Sequence, residues 1–232
     1  MEDTTNCWRD VENVLRAGID RLLLIGPPGT GKTMAGMTMG DTSRGAWRVP
    51  CTEDMTEAQL TGHIMPIGDE WDWNMGPVGR ALEVQGRVVL DEIDRLSGDV
   101  LSLALALTDS NESIAWDHPL TGKRFTAGDG YSVVATSNIE DPRELDPALA
   151  DRFNVVIRID RPHPDALLSL PRYLRPIAER SADLGDRRIS IRSFQSFDKL
   201  QRSIPIEEAA RIVFRDRAES ILDAIAIDGV TR

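Results

Sequence analysis

The chain has 232 residues, a formal net charge of −11, and 41% hydrophobic and 28% charged side chains, an ordinary globular composition that excludes wholesale disorder. No apolar run approaches the ~20 residues that span a bilayer, the longest being Val100 to Leu107, and the acidic start Met-Glu-Asp-Thr-Thr does not read as a secretory signal. Two cysteines, Cys7 and Cys51, and three scattered histidines make neither a disulfide framework nor a histidine metal cluster, and they fit a reducing, cytoplasmic setting with no membrane.

In chain order, the first element with a clear signature is Arg21-Leu22-Leu23-Leu24-Ile25, a short apolar run that reads as a buried parallel strand. Gly26, Pro27, Pro28, Gly29, Thr30, Gly31, Lys32 and Thr33 follow at once and match G-x-x-x-x-G-K-[ST] in full, and Met34 to Met39 continues as a helix. Strand, loop and helix in this order are what a phosphate-binding loop requires. Its glycines let backbone N–H groups curl around phosphates at the positive end of the helix. Lys32 would reach the β and γ phosphates, and the Thr33 hydroxyl would ligate Mg²⁺.

About sixty residues on, Arg87-Val-Val-Leu-Asp91-Glu92-Ile-Asp94 is an apolar strand ending in carboxylates. Strand ends at the carboxyl edge of a parallel sheet are where nucleotide chemistry gathers. Asp91 would hold Mg²⁺, directly or through its water, and Glu92, pointing differently, would polarise the attacking water as general base. Two more segments follow: Tyr131-Ser-Val-Val-Ala-Thr-Ser-Asn138, rich in β-formers and ending in an amide, and Leu145-Asp-Pro-Ala-Leu-Ala-Asp-Arg152-Phe153.

Taken together, Gly-Pro-Pro-Gly-Thr-Gly-Lys-Thr, Val-Leu-Asp-Glu-Ile-Asp and these two segments resemble the AAA+ ATPases. The resemblance implies an α/β fold, a P-loop parallel sheet flanked by helices with a small helical lid. It implies ATP and Mg²⁺ as ligands, with Met34 closing the nucleotide-binding loop. Asn138 would orient the attacking water, and Arg152 would be an arginine finger reaching a neighbouring subunit's site. Thr52 to Gly62, Gly76-Pro-Val-Gly-Arg80 and Gly122 to Asn138 are similar to the MoxR-type branch. In that branch the segment from His63 to Met75 is a hairpin inserted in the second helix, here with an unusual Trp71-Asp-Trp73. Residues 1–160 would form the nucleotide-binding subdomain and residues 161–232 the lid, with Arg161-Pro-His-Pro164 as linker. Helices are expected at about 165–180, 192–202 and 206–226, the last opened by Pro205, Glu207 and Glu208. Ser190-Ile-Arg192 resembles the start of the lid helix that places an arginine, here Arg192, on the γ-phosphate.

The charge is uneven: residues 1–160 hold 14 basic and 27 acidic side chains, and residues 161–232 hold 13 and 11. An acidic body is a poor match for nucleic acid, which is bound by neutralising phosphates. Three functions remain open. The leading one is a homo-oligomeric, hexameric ring that hydrolyses ATP and remodels a protein client, in the resembled branch often a von Willebrand A-domain protein. The second is a nucleic-acid motor or restriction-type GTPase on the same scaffold, and the third a slow nucleotide-dependent scaffold. Turnover with ATP and with GTP, each with and without DNA, separates them.

Overall fold

A computed structural model describes residues 7–230; the acidic start and residue 6 at one end, and residues 231–232 at the other, lie outside the described residues. The chain divides into two compact units. Residues 7–27 with 32–158 make the larger, and residues 28–31 with 159–230 the smaller.

In the larger unit α1 (Cys7–Arg16) leads to β1 (Arg21–Ile25) and α2 (Lys32–Thr38). Next come β2 (Ala46–Pro50), α3 (Glu57–Thr61), the antiparallel pair β3 (Gly62–Ile67) and β4 (Glu70–Met75), and α4 (Pro77–Val84). The chain continues through β5 (Arg87–Asp91), α5 (Gly98–Leu107), a second hairpin of β6 (Ala115–Asp117) and β7 (Arg124–Thr126), β8 (Ser132–Thr136), α6 (Pro147–Arg152) and β9 (Val155–Arg158). Five strands form one parallel sheet in the order β2-β5-β8-β1-β9. This is the flanked α/β sheet expected from the sequence. β1 and β5 are buried along their whole length, as strands covered on both faces must be. One face packs Leu23, Val88, Leu90, Val133 and Ala135 against Leu82, Val100, Leu149 and Phe153.

β1 and β5 each start with a buried arginine, which is tolerable because each guanidinium finds carbonyl acceptors. Arg21 Nε donates to Thr108 O at 2.9 Å, and Arg87 Nη1 donates to Gly36 O at 3.0 Å and Met39 O at 2.6 Å. The two hairpins meet through rings. Trp73 of β4 lies 6.2 Å from Trp116 of β6 and 6.0 Å from His118, and Trp116 stacks on Phe125 at 5.7 Å. Trp71 instead is 69% exposed.

The smaller unit carries α7 (Pro164–Leu168), α8 (Arg175–Ser181), α9 (Ile191–Leu200), α10 (Ile206–Phe214) and α11 (Ala218–Val230). Two expected helices are each broken in two. The one at 165–180 stops before Pro171, because a proline lacks the N–H and disfavours helical backbone in the residue ahead of it. The one at 206–226 stops at Arg215, whose φ of 54° turns the chain so that α11 packs against α10. Phe214, just ahead of that turn, is buried 5.5 Å from Phe194 and 5.0 Å from Phe197, ring centre to ring centre.

Candidate nucleotide site

The sheet order brings the sequence motifs to one edge. β8 lies between β5 and β1, with Leu24 opposite Thr136 and Leu90 opposite Ala135. Three chain exits therefore emerge side by side: the glycine loop after β1, the carboxylates at the end of β5, and Ser137-Asn138 after β8. Open α/β sheets bind ligands at this carboxyl edge.

The loop from Gly26 to Gly31 takes positive φ at Gly26 (125°), Gly29 (77°) and Gly31 (108°). Any other residue would be strained there, so the glycines fix the loop's course. Gly29 belongs to the smaller unit and has a second reason to lack a side chain, since a Cβ would stand 3.0 Å from Ser190 Cβ. Thr30 is tied in that unit by His163, whose N–H donates to Thr30 O at 2.9 Å. Lys32 opens α2 and is buried, its ammonium donating to Gly26 O at 2.6 Å, Pro27 O at 2.9 Å and Asn138 Oδ1 at 3.2 Å. Met34 lies two residues on, 39% exposed.

Asp91 is the most densely bonded carboxylate of the edge. Oδ1 accepts from Thr33 Oγ1 at 2.5 Å and from Thr136 Oγ1 at 2.7 Å. Oδ2 accepts both Nε (2.9 Å) and Nη2 (2.5 Å) of Arg48. Burial works to raise the Asp91 carboxyl, but the two hydroxyls and the guanidinium outweigh it and hold the group below the usual carboxylate range.

Glu92 follows in the left-handed region, at φ 61° and ψ 52°. A non-glycine residue held there at a carboxylate cluster is the kind of local strain that gathers at functional sites. The turn aims Glu92 away from Asp91, and its N–H donates to Thr136 Oγ1 at 3.1 Å. Its carboxylate accepts from Asn138 Nδ2 at 2.9 Å and pairs with Arg95 Nε at 2.8 Å. Asn138 thus bridges Lys32 and Glu92 with its two amide ends. Ser137 supports this corner, donating to Asp94 Oδ1 at 2.5 Å.

Arg152 closes α6, whose start is capped by Asp146 accepting from Ala148 N at 2.8 Å. Its guanidinium pairs with Asp109 Oδ2 at 3.3 Å and Asp151 Oδ2 at 3.5 Å, while Nε is buried without a hydrogen-bond partner. Arg152 thus stands apart from the cluster of Lys32, Thr33, Asp91, Glu92 and Asn138. Arg192 belongs to the smaller unit, exposed at the second residue of α9 just beyond the cap Ser190. Sequence reasoning missed Arg48, Thr136 and Arg95. Thr136 stands inside the Tyr131 to Asn138 segment and Arg95 directly follows Asp94, so both lie next to recognisable signals. Arg48 does not, because only the β2–β5 register, with Pro50 opposite Asp91, brings it within reach.

The residues present suit a nucleotide and a divalent cation. A buried ammonium, held by the loop's own carbonyls, offers positive charge to a polyphosphate. The Thr33 hydroxyl and Asp91 carboxylate are hard oxygen donors in contact, the set Mg²⁺ takes when phosphates and water complete its shell.

Comparison with known proteins places the chain in a family. The family model described as "AAA domain (dynein-related subfamily)" matches residues 21–153. Protein NorQ of Paracoccus denitrificans is 32% identical over 147 residues, covering 62% of this chain and 53% of NorQ. The denitrification regulatory protein NirQ of Stutzerimonas stutzeri is 28% identical over 146 residues, covering 61% of this chain and 52% of its own. The chain thus spans about half the length of these curated relatives. Among solved structures, NtrX from Brucella abortus superposes with a TM-score of 0.60 at 16% identity, over 88% of this chain and 52% of NtrX, a likeness of fold alone.

Proposed function

This chain belongs to the AAA domains of the dynein-related subfamily, the MoxR-type AAA+ ATPases, and we propose that it hydrolyses the β–γ phosphoanhydride of ATP with Mg²⁺. The observation that carries this reading is the convergence of Lys32, Thr33, Asp91, Glu92 and Asn138 at one sheet edge. The loop from Gly26 to Thr33, with Met34 behind it, receives the phosphates on the N–H groups of its residues other than Pro27 and Pro28, and Lys32 neutralises the β and γ groups. Thr33 and Asp91 hold Mg²⁺, which when bound neutralises charge developing on the phosphoryl oxygens.

Glu92 accepts the proton of the attacking water, and Asn138 keeps that carboxylate oriented while its oxygen faces the Lys32 ammonium. Arg152 is the proposed finger for a neighbouring subunit, in a homo-oligomeric and hexameric ring. Arg192 is the proposed γ-phosphate contact carried by the helical unit, residues 161–232, acting as lid. The client is a protein, with a von Willebrand A-domain protein as first candidate, because an acidic body disfavours nucleic acid. Phosphate release from ATP and from GTP, with Mg²⁺ or with EDTA, tests the reading. Mg²⁺-dependent release from ATP that is lost in Glu92→Gln supports it, and equal release from both proteins overturns it.

A further inference from the structure

Asp91 has a second cationic partner besides the metal it is proposed to hold. The guanidinium of Arg48 gives both Nε and Nη2 to Oδ2, while Thr33 and Thr136 share Oδ1. The arginine and the proposed metal ligand Thr33 therefore use opposite oxygens of one carboxylate. Arg48 reaches it diagonally from the edge strand β2. Its side chain is 53% exposed, whereas that of Asp91 is 8% exposed. A nearly buried carboxylate with only two neutral hydroxyl donors would face bound phosphates as an uncompensated negative charge.

We propose that Arg48 is the built-in counter-cation of Asp91, a positioning residue that lets the site hold a nucleotide before Mg²⁺ arrives. It offsets the repulsion between Asp91 and the phosphates in the metal-free complex. Once the divalent ion is bound, that ion supplies the positive charge and the arginine contributes little. A single carboxylate oxygen accepting two N–H groups of one guanidinium also fixes its rotamer, so Oδ1 stays on Thr33. This inference rests on the nucleotide-binding reading above and adds to it the metal-free state.

The test is calorimetric titration with ADP, in EDTA and in saturating Mg²⁺, on the unaltered protein, Arg48→Met and Arg48→Lys. Arg48→Met keeps an unbranched stem out to the position of Nε and removes the charged guanidinium. It should weaken ADP binding roughly tenfold in EDTA, the order expected for one uncompensated charge near a bound anion, and leave the affinity in Mg²⁺ within about threefold. Arg48→Lys should restore most of the loss. In an Asp91→Asn background the Arg48→Met effect in EDTA should vanish, a cycle that isolates this pair from any general damage to the fold. Equal loss in both conditions, loss confined to Mg²⁺, or an undiminished effect with Asn at position 91 each overturns the proposal. Failure of the unaltered protein to bind ADP in either condition instead overturns the nucleotide reading, and this inference with it.

Discussion

Thr33 donates its hydroxyl to Asp91 Oδ1 at 2.5 Å, tying the first turn of α2 to the last residue of β5 across 58 positions of sequence. The contact exists because β5 and β1 flank β8, so the ends of all three strands share one edge. A hydroxyl that donates to a carboxylate keeps its lone pairs for another partner. The pair is thus set for a cation without rearrangement, and the surrounding charges can be tested one at a time.

Lys32→Ala removes the charge proposed to neutralise the β and γ phosphates and breaks three hydrogen bonds at once. ATP binding measured by calorimetry should fall beyond detection. A tight ATP complex in this variant would contradict the loop assignment.

Glu92→Gln preserves shape and the contact with Asn138 but cannot accept a proton. ATP should bind with near-normal affinity, while phosphate release drops by roughly 10²-fold or more, the usual worth of a general base. Turnover at the unaltered rate would remove Glu92 from that role.

Arg152 already has partners within its own chain, Asp109 and Asp151. A finger supplied in trans is worth roughly 10³ in rate, whereas a partly exposed ion pair is worth about 1 kcal/mol or less. Arg152→Ala should therefore bind ATP normally and be nearly inactive. Mixed with Lys32→Ala protein it should regain activity, because an intact Glu92 site then meets an intact arginine. Absence of recovery in mixed rings shown to form would leave Arg152 as a bracket for Asp109 and Asp151.

Gly62 and Gly68 lie at the two ends of β3, both at positive φ (118° and 65°). A Cβ on Gly62 would stand 2.3 Å from Asn74 O and 2.7 Å from Gly76 N, whereas one on Gly68 meets nothing within 4 Å. Gly62→Ala should cost about 3 kcal/mol or more, backbone strain plus a clash, and Gly68→Ala only about 1 kcal/mol from strain. Thermal melting of the two variants checks the order, and equal shifts would refute it.

Local patterns were the legible part of this protein. Residues 21–38 announce strand, loop and helix because buried strands read as apolar runs and phosphate loops need glycine at fixed offsets. Val88 to Asp91 reads the same way. Pairings made by strand register were not legible: Arg48 meets Asp91, 43 positions away in sequence, only because β2 and β5 lie side by side, and Arg152 meets Asp109 only through the packing of α6 beside α5. The breaks in the helical unit show a different limit. Pro171 is a recognisable stop that a smooth reading of 165–180 overlooked. Arg215 carries no such signal, since arginine favours helix and its positive φ is imposed by the packing of Phe214 and α11.

The ring contacts between the two hairpins have a mechanical consequence. Trp73, Trp116 and His118 form a triangle of rings with centres 6.2, 6.0 and 5.8 Å apart, and Trp116 leans on Phe125. Lifting β3 and β4 away from the body would have to unstick these rings or drag β6 and β7 along. Rings of this size hold one another with dispersion and burial worth more than the few backbone bonds of a three-residue strand. The hairpins thus act as one stiff lever, with the exposed Trp71 near its free end. From Trp73, two residues along β4 from Trp71, the ring contacts run through Trp116 to Phe125 on the other hairpin.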